Sequence, residues 1–322
     1  GEQNVTKCRV CGAQGDGKAR ALLYESPDLL VWDFVNVRCE SRGEWGYMWE
    51  CPDCFPLGDK WVFLCSPMGA GERTTVYFVG DFDYRTGSFT YTVTGEADWG
   101  FDFYAPQTFL DHRNRRIMVG WANEWDWMPF WKDWGPTWRE GWCGSFAIPR
   151  EIRLNDGLTL SATPVSEVKL LYGEKAPIPS ELEVGEEPTS IQVGDGVAYE
   201  LSFDIDLTKT DASSLTLKLR QHDDHALTVT FDFTAAQLRV DRNNADGWSK
   251  GTSRSPLPLH GKERLDVVVL SDQSSVEIFV DGGRIVHSMN VFAGNDHNGI
   301  SFASSEGGAS IRDLIGHGLN SV

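Results

Sequence analysis

The chain is 322 residues long and carries 29 Lys and Arg against 47 Asp and Glu, a formal charge of −18. Such a length buries one large or two ordinary cores. The acidic excess excludes nucleic acid and anionic membrane as partners, since either needs clustered cations, and leaves a neutral or cationic ligand.

Composition also divides the chain. Twelve of the 13 tryptophans and all seven cysteines lie before residue 144, which predicts two domains. No run approaches the roughly 18–20 apolar residues of a membrane-spanning helix. The N-terminus has no basic-then-apolar signal pattern, and the first methionine is Met48, so the sequence reads as a piece of a longer chain. The odd cysteine count suits free, mostly buried thiols of a reducing, cytoplasmic compartment. Two C-x-x-C pairs, Cys8/Cys11 and Cys51/Cys54, have the ligand types of a zinc site, but 39 residues separate them. That exceeds the usual spacing of about 15–20.

Short strands and turns follow one another with almost no helical periodicity. Residues 19–24 and 31–35 read as strands around Glu25-Ser26-Pro27-Asp28, and 61–66, 74–80 and 88–94 repeat that rhythm. Residues 103–110 and 116–121 make a further pair. Strand pairs at a period of roughly 45 residues, rich in aromatics, fit four-stranded propeller blades and fit a sandwich nearly as well.

Within this run lies Met48-Trp49-Glu50-Cys51-Pro52-Asp53-Cys54-Phe55-Pro56-Leu57. Proline fixes its own φ and has no amide hydrogen, so Pro52 and Pro56 forbid a helix here. Glu50 and Asp53 are therefore carried on extended, irregular backbone. Residues 124–142 alternate tryptophans with charges and prolines. They read either as a loop lining a sugar-binding funnel, where indole faces stack on sugar C–H faces, or as an aromatic plug between blades.

A hairpin follows at 153–160, turning at Asn155-Asp156-Gly157. Residues 166–190, rich in Pro, Glu and Ser, read as a linker with one short helical turn at 166–171. From 191 to 322, period-two strands at 199–205, 215–219, 227–231, 265–269 and 276–280 predict an antiparallel β-sandwich.

Six segments in one order carry a resemblance. They are Trp49-Glu50-Cys51-Pro52-Asp53, Gly80-Asp81-Phe82-Asp83, Asp102-Phe103-Tyr104-Ala105-Pro106-Gln107-Thr108-Phe109, Gly120-Trp121-Ala122-Asn123-Glu124-Trp125, Ala147-Ile148-Pro149-Arg150-Glu151 and Ser274 to Gly282. Together they resemble glycoside hydrolase family 32, the β-fructofuranosidases, which include invertases, levanases and inulinases. The resemblance implies an all-β chain: an incomplete five-bladed propeller over 1–165, starting within blade two, the linker, and the sandwich over 191–322. It implies no cofactor and no metal, and sucrose or fructans as substrates.

The resemblance also assigns roles. Glu50 matches the acid/base of a retaining mechanism, which protonates the leaving oxygen and then activates water. Neighbouring aromatics and a nearby carboxylate such as Asp53 would favour its protonated form. Tyr104 and Trp125 match positions that shape the fructose pocket, Asp102 sits beside them as a hydroxyl acceptor, and Asp53 is counted with them as substrate-binding. The family's nucleophile lies in an Asn-Asp-Pro-Asn-Gly motif and a further carboxylate in Arg-Asp-Pro, and neither motif occurs here. The expectation is a fructan- or sucrose-hydrolysing parent enzyme and a chain that is silent alone. A carbohydrate-binding protein using the tryptophan-rich loop and a zinc-stabilised structural piece are the rivals.

Overall fold

A computed structural model describes residues 6–13, 16–124 and 135–321. Strands dominate. The chain divides into two compact units. The first takes the chain up to Asp98, Phe103–Trp121 and Pro149–Ser161. The second takes Trp99–Asp102, the described part of Ala122–Ile148, and Ala162 onward.

The first unit is built from antiparallel meanders. β1 (Thr6–Ala13), β2 (Ala19–Ser26) and β3 (Asp33–Glu40) form one sheet. β4 (Met48–Leu57), β5 (Lys60–Met68), β6 (Val76–Asp83) and β7 (Ser88–Glu96) form the second. β8 (Tyr104–Leu110), β9 (Arg116–Trp121), β10 (Arg150–Leu154) and β11 (Leu160–Pro164) form the third. Each four-stranded sheet is a blade in the propeller sense, and the first strand of one blade, β4, packs beside β1 and β8.

Aromatic packing holds the β4–β7 blade together. Trp49, Phe63 and Phe78, each 0% exposed, lie with ring centroids 5.0–5.6 Å apart. Tilted contacts of this kind add about 0.5–1.5 kcal/mol each beyond area burial. Gly80 is required where β6 and β7 slip register, because a Cβ there would meet the Thr90 carbonyl oxygen at 2.0 Å. Among the described side chains, Cys39, Cys54 and Cys65 are buried free thiols and Cys51 and Cys143 are exposed ones. Burial pushes the Cys39 thiol up to about 12.

In the second unit, Ser166–Leu171 is a single 3-10 turn, as the sequence suggests. The rest of 166–190, expected as a linker, is instead part of the sandwich. β12 (Tyr172–Lys175) and β13 (Leu182–Val184) pair with the final strand, and β14 (Thr189–Ile191) pairs with the penultimate one. Backbone hydrogen bonding to those edges overrides a Pro- and Glu-rich composition.

Then come β15 (Tyr199–Asp206), β16 (Ser214–His222), β17 (His225–Asp232), β18 (Gln237–Asp241) and β19 (Thr252–Pro256). β20 (Arg264–Ser271), β21 (Ser275–Val280), β22 (Ile285–Asn290), β23 (Gly299–Ser305) and β24 (Ala309–Leu319) complete the chain. One sheet runs β12-β24-β15-β20-β21-β22, with β13 also on β24, and the other β14-β23-β16-β17-β18-β19. The inward residues of each strand alternate, as in Leu215, Leu217 and Leu219 or Val276, Ile278 and Val280. Period-two patterning therefore becomes a shared core directly.

Candidate active site

β4 is the edge strand of its blade, the place in a sheet where Pro52 and Pro56 are tolerated. The strand is nevertheless irregular. Glu50 pairs with Ser66, but the next paired residue is Asp53 opposite Leu64, a bulge of two against one. Cys51 sits in it at φ 49, the left-handed region. Glu50, half-buried, lies at the last regular position before the bulge.

A second bulge faces this one. On β8, Tyr104 pairs with Trp121 and the next partner is Gln107 opposite Val119, with Ala105 at φ 53. The two irregular strands are joined by side chains. The Tyr104 hydroxyl donates to Glu50 Oε2, and Gln107 Nε2 donates to the Cys51 carbonyl at 3.1 Å. Tyr104 is 4% exposed and its ring meets Trp121 edge-on at 6.3 Å.

Asp53, two residues past the bulge residue Cys51, takes a different set of partners. Its Oδ2 accepts from Thr108 N at 2.9 Å and Thr108 Oγ1 at 2.6 Å, and it attracts the Arg116 guanidinium stacked 4.7 Å over Phe55. That arrangement stitches β4 to β8. Cys51 stays a thiol, since desolvation and then the charge of Glu50 push it up.

Asp102 belongs to the second unit and is 1% exposed. Its Oδ2 accepts from Arg242 Nη1 at 2.6 Å and from Asn290 N at 2.7 Å, and Arg242 is itself 0% exposed and stacked 4.5 Å from Phe101. Asn290 Nδ2 adds bonds to the Ala122 carbonyl and to Asn123 Oδ1. Asp102 is thus enclosed by Arg242 and Asn290 within the second unit. Trp125 lies outside the described residues. So do the Cys8 and Cys11 side chains of the zinc reading, while Cys54 Sγ accepts from Arg38 Nη1 at 3.2 Å. Among the described residues no cluster of three or more His, Cys, Asp or Glu is arranged to hold a metal ion.

Within the first unit the site brings Glu50 and Tyr104 together and gives Asp53 partners of its own on β8, while Asp102 belongs to the second unit. Comparison with known proteins agrees with the motif order. The model of the glycosyl hydrolases family 32 N-terminal domain matches residues 2–164, and that of the family's C-terminal domain matches 169–315.

The chain belongs to glycoside hydrolase family 32.

Its relatives include a sucrose-6-phosphate hydrolase of Salmonella typhimurium, 32% identical over 299 residues that cover 88% of this chain and 57% of that protein. A levanase of Bacillus subtilis is 29% identical across 96% of this chain and 48% of that enzyme. Among solved structures, a family 32 β-fructofuranosidase of Bombyx mori superposes with a TM-score of 0.76 at 26% identity, over 99% of this chain and 64% of that one. The chain spans between 48% and 58% of the length of these and similar curated relatives. The family's propeller-plus-sandwich architecture is the one seen here, as blade sheets followed by a sandwich.

Sequence reasoning missed the residues that support Tyr104. Ser66 and Thr75, both 0% exposed, bond to the backbone on either side of it. Nothing local marks them. Only the Glu50–Ser66 register, set by the bulge, could have pointed to Ser66.

Proposed function

We propose that the protein to which this chain belongs hydrolyses terminal β-fructofuranosyl bonds of sucrose or fructans with retention, and that Glu50 is its acid/base. The observation that carries this reading is the Glu50–Tyr104 pair on two facing bulges, because bulges re-aim side chains out of the regular ladder. With Oε2 accepting from Tyr104, Oε1 is the oxygen that delivers a proton to the departing glycosidic oxygen. The same carboxylate then takes a proton from the water that releases fructose. Tyr104 orients the carboxyl, and Trp125 shapes the sugar pocket. The 4% exposure of Tyr104 supports a wall rather than a mobile contact.

Double displacement needs a second carboxylate as nucleophile, with the two carboxyls of a retaining pair about 5–5.5 Å apart. We assign it to the Asn-Asp-Pro-Asn-Gly motif, which these 322 residues do not contain. Asp53 is a poor substitute, since Thr108 holds it.

The test compares two preparations, the 322-residue chain and the same chain preceded by whatever its own gene encodes upstream. Sucrose, sucrose 6-phosphate, inulin and levan are offered to each, with Glu50→Gln as control. Turnover of unphosphorylated fructosides by the longer form only, abolished in Glu50→Gln, is the expected result. Turnover by the shorter form well above that control would overturn the missing-nucleophile assignment. Fructan binding without turnover in either form, surviving Glu50→Gln, would replace catalysis by a binding role.

A further inference from the structure

The acid/base is held by more than Tyr104. Bulging frees peptide groups from the ladder, and a freed group that is buried must find another partner. The groups concerned are the carbonyl of Phe103, the residue just before β8, and the amide of Ala105 in the bulge, which flank Tyr104. Thr75 Oγ1 donates to the Phe103 carbonyl at 2.9 Å, and the Ala105 amide donates to Ser66 Oγ at 2.8 Å. Ser66 and Thr75 are themselves 3.3 Å apart. The Thr75 proton is spent on Phe103, so Ser66 donates across that gap. The result is a directional chain, from Ala105 N–H through Ser66 and Thr75 to Phe103 C=O. It starts and ends on the two peptide groups around one side chain.

Register makes this an extension of the acid/base row. Glu50 is opposite Ser66 across β4 and β5, and Cys65 is opposite Val76 across β5 and β6. Glu50, Ser66 and Thr75 therefore lie side by side across the blade. Its two buried hydroxyls reach β8, whose next residue returns a hydrogen bond to Glu50. Ala105 at φ 53 is a conformation alanine adopts only under constraint. Two hydroxyls with no exposure supply that constraint.

We infer that Ser66 and Thr75 form a hydroxyl clamp that fixes the Tyr104 backbone so that its phenol stays donated to Glu50, which makes both positioning residues for proton transfer. The idea that this matters for turnover rests on the proposed role of Glu50; the clamp itself does not. A supporting shell of this kind is what holds a reacting group within tenths of an ångström.

The test labels tyrosine with carbon-13 at Cζ in the 322-residue chain, where the Tyr104 signal is identified by its loss in Tyr104→Phe. Glu50→Ala gives the position of a phenol without its carboxylate acceptor. Ser66→Ala and Thr75→Val are expected to move the signal toward that position, and Ser66→Thr and Thr75→Ser, which keep the hydroxyl, to leave it near wild type. If Thr75→Val does not fold, Ser66→Ala alone decides. A Tyr104 signal unmoved in a folded Ser66→Ala or Thr75→Val chain overturns the clamp.

In whichever preparation turns over a fructoside, kcat should fall roughly 10-fold or more with KM little changed, and recover in the hydroxyl-keeping variants. An unchanged kcat at a lowered Tm would reduce Ser66 and Thr75 to structure. If neither preparation turns over, the proposed function fails while the Cζ shift still decides the clamp.

Discussion

The two units bury polar groups for different ends. In the sandwich, Arg220 is 0% exposed and donates to the carbonyls of Asp272, His297, Ala293, Gly294 and Gln273 at 2.8–3.4 Å. That cation holds loop carbonyls from φ 49 on the irregular end of β16, beside a largely aliphatic core. In the blades, the buried hydroxyls of Ser66 and Thr75 hold a strained backbone next to a carboxylate. Saturated polar groups build rigidity in both, and in the blade the network ends beside the half-buried carboxylate of Glu50. Bulges and left-handed residues at Cys51 and Ala105 accompany that placement, as they do where structure is shaped for function.

The largest expected effect sharpens that contrast. Glu50→Gln should lower kcat of the active preparation by about 10²–10⁴-fold while leaving Tm nearly unchanged, because the role proposed for the group is proton transfer and not packing. Activity assays and calorimetry on one sample check both halves. A stability loss comparable to that of a core substitution would erase the distinction between the units.

Arg220→Met is the converse. It leaves several carbonyls without a donor and should cost about 3–5 kcal/mol in urea denaturation. Turnover per folded molecule should stay at the wild-type level.

Glu96 offers a test by pH. Burial pushes its carboxyl up to about 7, opposed by Arg73 at 2.9 Å. Because the folded value lies above the ordinary value of 4.5, the protonated form favours folding. The contribution is complete below about pH 4.5 and is lost as pH rises through about 7. Glu96→Gln should flatten the fall in stability between those values, a difference of the order of 1–3 kcal/mol, read from denaturation midpoints at several pH values. A parallel fall in both proteins would remove Glu96 as its source.

The smallest effect probes the bulge. At φ 49, Cys51→Gly should stabilise by about 0.5–1 kcal/mol and Cys51→Val should destabilise by at least as much. Equal stability of the two would mean that the backbone there relaxes freely.

Much of this protein was determined by its sequence alone, and the reason is locality. Period-two alternation and turn residues specified the strands at 199–205, 215–219 and 276–280, and the hairpin around Asn155-Asp156-Gly157, because each depends on residues a few positions apart. The prolines placed Glu50 on extended backbone, and six ordered motifs placed the chain in its family. Tertiary structure alone decided which strand edges claimed 166–190, that Asp102 would be enclosed by Arg242 and Asn290, that Tyr104 would meet Glu50, and that Ser66 and Thr75 would bond the backbone around Tyr104. Those choices join residues far apart in the chain, with 54 positions between Tyr104 and Glu50 and 140 between Arg242 and Asp102. A bulge that shifts register by one residue re-aims every such partner, and no local pattern records where it falls.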